Sequence, residues 1–546
     1  MRKPITILVS VDSNSILLGA RHLKNYLLSL INKYNLGNMV EVLETGSFGK
    51  YGNKSLFLLL PDNKIYGLQQ KEDVDRFVEE QILKGRPVED LIIEDIVVPG
   101  AVEATERTEE NRIVLKRIGS IDPRNIEEFI AMNGYQSLSQ ALKTDRDKIL
   151  KTVKDSNLRG RGGAGFPTGL KWEFTKNVDA EEKFVICNAD EGEPGTFKDR
   201  LIMEGDPHSV IEGMAIAAYV VGANKGYIYI RGEYFESVNN LKIAIDQAYE
   251  YGLLGKNIMG TGFDFDLSVR LGAGAYVCGE ETALIESIEG KSGRPRLKPP
   301  YPPLKGLHEK PTVVNNVETF ANIPDIVNNG SEWFKSIGTE SSAGTKVFCL
   351  CGNVVNKGIT EVPMGITVAD LLYKYGGGIS EGRKLKMIQT GGAAGTFITP
   401  NELSTPLDFD STKNFGVSLG SGVILVIDDT HCSVDVALNL MEFFEHESCG
   451  KCTPCREGTK LIVHYLRELS KGRGTQEMID NLYDIADNME KTSFCGLGQS
   501  VPIPLRSILD RFRDEFVQHV GAESCPAGVC VFEKGKKKPK KAKLLL

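Results

Sequence analysis

The sequence predicts a multidomain α/β protein that ends in a helical, cysteine-bearing region. Three observations predict it. Apolar strand-like runs alternate with helical patterns between residues 120 and 335. Glycine-rich segments fall where those strands end. No cysteine precedes Cys187, and six lie between Cys449 and Cys530. Alternation of strand and helix implies a mostly parallel sheet covered by helices, with ligands at the strand ends.

The elements follow in order. TILVSV (6–11) reads as a strand, and 15–34 places Leu17, Leu18, Leu23, Leu27, Leu30 and Ile31 at helical spacing. SLFLLLPDNKIYGL gives two strands around a Pro-Asp-Asn turn, and a helix follows near 71–84. Residues 1–115 are therefore a two-layer α/β unit without thiols. Between 120 and 335 the order is FVICNAD, helix 207–222, GYIYIRG, helix 236–251, DLSVRLG and helix 280–288. TKVFCLCGNV, a helix at 367–375 and KLKMIQTGG make a compact β-rich unit over 344–400. Residues 431–517 read as helices interrupted by cysteines.

The 546 residues leave room for three or four domains. Hydrophobic residues at 41% and charged residues at 25% are ordinary for a globular chain and exclude a fibre or a disordered protein. No apolar run approaches the ~18 residues of a membrane helix; the nearest, 209–223, carries Glu212. The N-terminus reads as a first strand, not a signal peptide, so a cytoplasmic protein is expected. Net charge is −8, but seven lysines sit in the last thirteen residues, from Lys534 onward. The acidic remainder argues against nucleic acid as a partner, and the tail reads as a solvated end.

Four motifs carry chemistry. NLRGRGGAGFPTGLKW (157–172) places Gly160, Gly162, Gly163 and Gly165 within six residues, flanked by Arg161 and Lys171. Such a loop frees backbone N–H groups to surround an anion. It matches neither the Walker pattern nor a strand-preceded GxGxxG, and a plain flexible turn is the rival reading. CNADEGEPGTFKDR (187–200) crowds Asp190, Glu191, Glu193 and Asp199 into one loop. Like-charge repulsion makes this costly unless the carboxylates accept hydrogen bonds, for instance from a ribose or an amide. Glycoside hydrolysis by paired carboxylates is the rival use. GAGAYVCGEETALIESIEG (272–290) is again a strand end leading to a helix, and PTVVNNVET (311–319) offers Asn315 and Asn316 to a planar heterocycle. No Ser/His/Asp or Cys/His constellation accompanies these loops, so no catalytic side chain is assigned.

The cysteines divide into two sets. SCGKCTPCREG supplies Cys449, Cys452 and Cys455, and SFCGLG supplies Cys495. CxxCxxC plus one distant thiol favours a [4Fe–4S] cluster over zinc, whose sites usually pair two CxxC units. Cys432, His519, Cys525 and Cys530 form a second set with metal-like spacing. Imidazole and thiolates together suit a structural Zn²⁺, and buried lone thiols are the bland alternative.

In motif order and over about residues 150–500 the chain resembles the NADH-binding flavoprotein subunit of respiratory NADH dehydrogenases and of NAD(P)-linked cytoplasmic hydrogenases. The resemblance implies that Gly160 to Gly165 cradle the FMN phosphate and face NADH. It implies FMN contacts at Asn188, Asp190, Glu191, Tyr276, Gly279, Glu280, Glu281, Asn315, Asn316 and Thr319. NADH contacts are implied at Phe166, Lys171, Phe174, Glu193 and Lys298, with Tyr301 stacking on the adenine where the family usually has Phe. Glu193, facing the adenine ribose, is expected to set preference for NAD over NADP by repelling a 2′-phosphate. The implied folds are a thioredoxin-like domain without cluster cysteines (1–115), a Rossmann-like FMN/NADH domain (120–335), a ubiquitin-like β-grasp unit (344–400), a [4Fe–4S] helical bundle (431–517) and a zinc segment with basic tail (518–546).

The implied function is a diaphorase subunit: a hydride passes between NAD(H) and FMN, and single electrons leave through the [4Fe–4S] cluster to partners. The Cys432/His519/Cys525/Cys530 set resembles the hydrogenase branch, some of whose complexes bifurcate electrons. Expected partners are a thioredoxin-like [2Fe–2S] subunit, a larger iron–sulfur or hydrogenase subunit and a ferredoxin. The alternatives are a respiratory-type or formate dehydrogenase flavoprotein and, outside enzymes, a zinc-bound interaction scaffold.

Overall fold

A computed structural model describes residues 5–95, 112–520 and 525–532; the basic tail lies outside the described residues. Three sheets organise the chain. The first contains β1 (Ile5–Ser10), β2 (Val40–Thr45), β4 (Ser55–Leu60), β5 (Lys64–Leu68) and β6 (Ile92–Asp95) in the order β2-β1-β4-β5-β6. β1 and β2 are parallel and the other pairs antiparallel. The helix read at 15–34 is split at Gly19, whose φ of 89° lies in the left-handed region, into Ser13–Leu17 and Ala20–Lys33.

The second sheet is four-stranded and wholly parallel: β7 (Phe184–Ala189), β8 (Lys225–Arg231), β9 (Asp266–Gly272) and β10 (Thr312–Asn316), in the order β10-β7-β8-β9. β7 is apolar nearly throughout because both faces are covered. One cover is the helix Pro207–Val221, apolar around its circumference and almost wholly buried. The strand order reverses beside β7, since β8 and β9 continue on one side and β10 returns on the other. The carboxyl ends of β7 and β10 therefore flank the crevice where open α/β sheets bind ligands.

The third sheet joins β11 (Thr345–Gly352), β12 (Lys357–Pro363), β13 (Leu385–Thr390), β14 (Thr396–Ile398) and β15 (Val423–Asp428) in the order β14-β13-β15-β11-β12-β3. Two features correct the unit read over 344–400. β15, beyond residue 400, lies at the centre of the sheet between β13 and β11. The edge strand β3 (Lys50–Tyr51) comes from the N-terminal region and pairs antiparallel with β12. Gly358 permits that pairing, because a Cβ there would lie 2.0 Å from the Gly49 carbonyl. Beyond the third sheet come the helices Ser433–Glu447, Thr453–Ser470, Gln476–Thr492 and Pro502–Arg511, whose buried faces share one core with it.

Candidate cofactor cleft and metal centres

A cleft of about 820 Å³ opens at the ends of β7 and β10. The glycine loop forms one wall. Gly160 N–H donates to the Phe166 carbonyl at 2.9 Å, closing the loop on itself. Gly165 has φ +63° and a Cβ there would lie 2.4 Å from the Phe409 ring; a Cβ on Gly162 would lie 2.9 Å from Asn316 Cβ. Close approach to neighbouring side chains thus requires glycine at both positions. The cleft is also lined by aromatic and apolar side chains: Phe166, at the end of the loop, and Phe174, Tyr301 and Leu304 are 45 to 55% exposed there. Large apolar side chains exposed together in one concave surface mark a ligand face.

Most of the expected cofactor residues reach this cleft: Gly160, Gly162, Gly163, Gly165, Phe166, Lys171, Phe174, Asn188, Gly279, Glu280, Glu281, Lys298, Tyr301, Asn315, Asn316 and Thr319. Their orientation is set by hydrogen bonds. Asn188 Nδ2 donates to the Gly279 carbonyl at 2.8 Å, and Asn315 Oδ1 accepts Trp172 Nε1–H at 2.9 Å. Lys171 Nζ donates to the Val314 carbonyl at 3.0 Å and pairs with Glu281. Lys298 bridges Glu280 (2.6 Å) and Glu281 (3.1 Å). Burial would raise Glu281, but Lys171 and Lys298 hold it below the usual carboxylate value.

Five expected residues lie elsewhere. Arg161 is fully buried and turned away from the cleft, so it adds no open positive charge to the loop. Its guanidinium donates to the carbonyls of Thr345 (3.0 Å), Arg159 (2.9 Å) and Ala343 (2.7 Å), pinning the glycine loop to β11. Its backbone N–H donates to Thr319 Oγ1 at 2.9 Å. Glu191 accepts the backbone N–H groups of Asp199 and Arg200 at 2.9 and 3.0 Å, capping the helix Lys198–Gly205. Glu193 accepts from Ser421 Oγ at 2.5 Å and Ala394 N–H at 3.3 Å, which points it to the third sheet and not to the cleft wall. Tyr276 approaches Glu193 with its hydroxyl (3.5 Å) and packs its ring 5.2 Å from Phe443. Asp190 sits behind Gly279, and both of its carboxylate oxygens are buried without a hydrogen-bond partner. Burial pushes it up to about 7.

Beneath the cleft lies a buried charge network that the sequence does not announce. Lys198 Nζ contacts Asp199 (2.7 Å) and Glu318 (2.8 Å), and Lys346 Nζ contacts Glu318 at 2.6 Å. Asn316 is held by it: Nδ2 donates to Asp199 at 2.6 Å, while Oδ1 accepts from Lys198 and from Glu318 N–H. The only sequence signal for it is the charged residues in CNADEGEPGTFKDR and PTVVNNVET, and their pairing with Lys346 depends on the fold.

Cys449, Cys452, Cys455 and Cys495 line one small cavity with Val277 and Pro295. Cys452 and Cys495 each occupy the residue before a helix start, Thr453–Ser470 and Gly496–Ser500. Burial pushes the Cys455 thiol up to about 11. Cys432, His519, Cys525 and Cys530 are packed more tightly, with their ligand atoms all within 4.8 Å of one another. Cys432 Sγ lies 3.4 Å from His519 Nε2 and 3.5 Å from Cys530 Sγ. His519 Nδ1 donates to the Glu515 carbonyl at 2.7 Å, which turns Nε2 toward the thiols. No helix among the described residues is long and apolar enough to cross a membrane.

Residues 153–325 match the family model described as the Nuo51 FMN-binding domain, and residues 435–519 match the NADH-ubiquinone oxidoreductase-F iron-sulfur binding region. The chain is 48% identical over 430 residues to the NADP-reducing hydrogenase subunit HndC of Solidesulfovibrio fructosivorans, covering 79% of this chain and 87% of that one. It is also 48% identical over 415 residues to the F 2 subunit of the NADH-quinone oxidoreductase of Rhizobium meliloti (strain 1021), covering 76% of this chain and 99% of that one. A chain of the NAD+-reducing [NiFe]-hydrogenase in its H2-reduced state superposes with a TM-score of 0.67 at 32% identity, over 96% of this chain and 86% of that one. A glycine-walled cleft at the switch point of a parallel sheet, four thiols around a second cavity and these likenesses lead to one conclusion: the chain belongs to the family of NADH-binding FMN and [4Fe–4S] flavoproteins of NADH-quinone oxidoreductases and NAD(P)-linked hydrogenases.

Proposed function

We propose that the 820 Å³ cleft holds FMN and NADH together and that Cys449, Cys452, Cys455 and Cys495 hold the [4Fe–4S] cluster. The observation that carries this reading is the chemistry of the cleft lining and of the carboxylate just behind it. The Asp190 carboxylate is buried behind Gly279 without a hydrogen bond, and Gly162 and Gly165 keep the loop free of side chains where a Cβ would not fit. FMN, when bound, couples two-electron hydride chemistry to one-electron transfer. The chain's own residues bind and orient. The 160–165 backbone receives a phosphate, with Arg161 fixing the loop from behind. Asn188 and Asn316 present fixed amides to a flat ring, and Phe166, Phe174 and Tyr301 exclude water and align the nicotinamide nucleotide.

The purified protein should be yellow-brown, release FMN on denaturation and bleach with NADH under anaerobic conditions; a colourless, zinc-only protein would refute the reading. Tyr301→Ala should raise the KM for NADH about 2- to 10-fold with flavin content unchanged, the loss of about 0.5–1.5 kcal/mol of aromatic contact.

The second metal set favours a cytoplasmic hydrogenase complex over a respiratory one, because a tight Cys432/His519/Cys525/Cys530 site is the feature attributed to the hydrogenase branch. Its expected partners are a thioredoxin-like [2Fe–2S] subunit, a larger iron–sulfur or hydrogenase subunit and a ferredoxin. Identity is equal, at 48%, to the hydrogenase subunit and to the Rhizobium meliloti protein, so it supports the respiratory-type alternative as much; identifying the subunits that co-purify decides between them. In the tight site, ligand atoms within 4.8 Å suit a single tetrahedral ion, and zinc would join the C-terminal segment to the helices without redox duty. Metal analysis should give about one zinc and four irons per chain. Cys525→Ser should lose the zinc and expose the C-terminal segment to protease while NADH still bleaches the flavin. Eight irons without zinc in the unmodified protein would rule the site out.

A further inference from the structure

Two short segments run between the cleft and the cluster cavity. In the turn Tyr276–Gly279, Val277 lines the cluster cavity and Gly279 lines the cleft. In the stretch 295–298, Pro295 lines the cluster cavity and Lys298 lines the cleft. Each segment is tied at its cluster end by a side chain that brackets Cys449. Glu447, the last residue of the helix Ser433–Glu447, accepts the Tyr276 backbone N–H on Oε2 at 2.9 Å. Lys451 Nζ donates to the Pro295 carbonyl at 2.6 Å and lies 4.4 Å from the centre of the Phe494 ring.

We infer that Glu447 and Lys451 are positioning residues that fix the spacing between the flavin cleft and the iron–sulfur cavity, and so set the rate at which electrons cross. The inference rests on the assignment of FMN to the cleft and of the cluster to the four thiols. Both ties are charge-assisted, about twice as strong as neutral hydrogen bonds. The surroundings make them stiff: the Tyr276 ring packs 5.2 Å from Phe443 on the same helix that carries Glu447, and Lys298 is locked by Glu280 and Glu281. A hydride from NADH delivers two electrons and leaves NAD+. Cys449, Cys452, Cys455 and Cys495 would hold a cluster that takes these electrons singly, each going on to a one-electron acceptor in a partner subunit and the proton of the hydride to solvent. Transfer through protein weakens steeply with distance, so a small drift of the Tyr276 or Pro295 end slows the crossing, while Asn188 on the Gly279 carbonyl and Glu280 and Glu281 on Lys298 hold the cleft ends in place for hydride transfer.

The test compares Glu447→Leu with Glu447→Gln in the full chain loaded with FMN and iron. In Glu447→Leu, amide exchange of the 275–279 segment, measured without NADH, should accelerate about tenfold as its tie is lost. On mixing with NADH, flavin bleaching should keep its rate, and the paramagnetic signal of the first reduced cluster should appear roughly tenfold more slowly. Glu447→Gln, whose amide oxygen still accepts the Tyr276 N–H, should restore both. Cluster reduction at the unmodified rate in Glu447→Leu, or equal slowing of both phases, overturns the inference. Should Glu447→Leu lose iron, Lys451→Met is judged by the same criteria, with exchange read over 293–298. A parent protein whose flavin does not bleach with NADH refutes the cofactor assignment instead, and the exchange measurements then decide whether the ties exist.

Discussion

Replacing Gly165 with valine should strip FMN from an otherwise folded protein. Gly165 has φ +63°, a conformation that costs a side chain roughly 1–2 kcal/mol. Its Cβ would stand 2.4 Å from Phe409 Cε1, and that ring cannot retreat freely because the Arg159 guanidinium covers it at 4.3 Å. Relieving such overpacking costs roughly a further 1–3 kcal/mol. The loop can avoid both costs by opening, which breaks the Arg159 Nε bond to the Gly165 carbonyl (2.8 Å) and displaces the 160–165 backbone from the cleft. FMN affinity should fall about 30-fold or more, since roughly 2–5 kcal/mol is taken from the bound conformation. Fluorescence of released FMN during gel filtration measures it. Gly160→Ala is the comparison: its nearest contact would be an ordinary 3.6 Å, so the loss should be far smaller. Equal FMN retention in the valine variant would show that the loop does not form the phosphate site.

Glu318→Leu should give the largest loss of stability. This carboxylate is buried between Lys198 (2.8 Å) and Lys346 (2.6 Å), and its other oxygen accepts the Val347 N–H at 2.9 Å. Removing it leaves Lys198 with Asp199 but leaves Lys346 with a single carbonyl, that of Val347. Burial already pulls Lys346 down to about 8 with Glu318 present. Breaking a buried pair from one side costs about 3–5 kcal/mol, and Glu318→Leu with Lys346→Met should recover much of it. Urea unfolding, followed by loss of bound FMN and by circular dichroism, compares the single and double variants. The same network has a pH signature. Burial raises Glu318, but the two lysines outweigh it and hold the group below its ordinary 4.5. A depressed carboxylate contributes stability that is complete above its unfolded value and is lost as pH falls through the folded one. The parent should therefore weaken below about pH 4.5 through this group, and the double variant should lack that component.

The sequence was most informative where chemistry lies within one or two turns of chain. The helix read at 207–222 forms at Pro207–Val221 and the strand FVICNAD at Phe184–Ala189, because apolar periodicity reflects burial directly. CxxCxxC brings three thiols to one cavity because that spacing spans a single turn into a helix, and the glycine loop gathers its donors within six residues. The grouping of His519, Cys525 and Cys530 was legible too, since they are close in sequence and only Cys432 arrives from afar.

What the sequence by itself determined about this protein is therefore the chemistry each short segment can offer: a glycine-rich loop, a row of strand-end amides and acids, and two clusters of thiols, one of them with a histidine. Only the tertiary structure decided which way the charges face. Arg161 looked like an open cation beside the loop, yet the Ala343 and Thr345 carbonyls draw it into the core. Glu193 looked like a ribose ligand, yet Ser421 and Ala394 hold it. β15 and β3 likewise entered the third sheet from outside the expected unit. The physical reason is common to all four. A buried charge or an unpaired strand edge must be satisfied by whatever donors and acceptors the fold brings near it, and those partners lie far away in the chain.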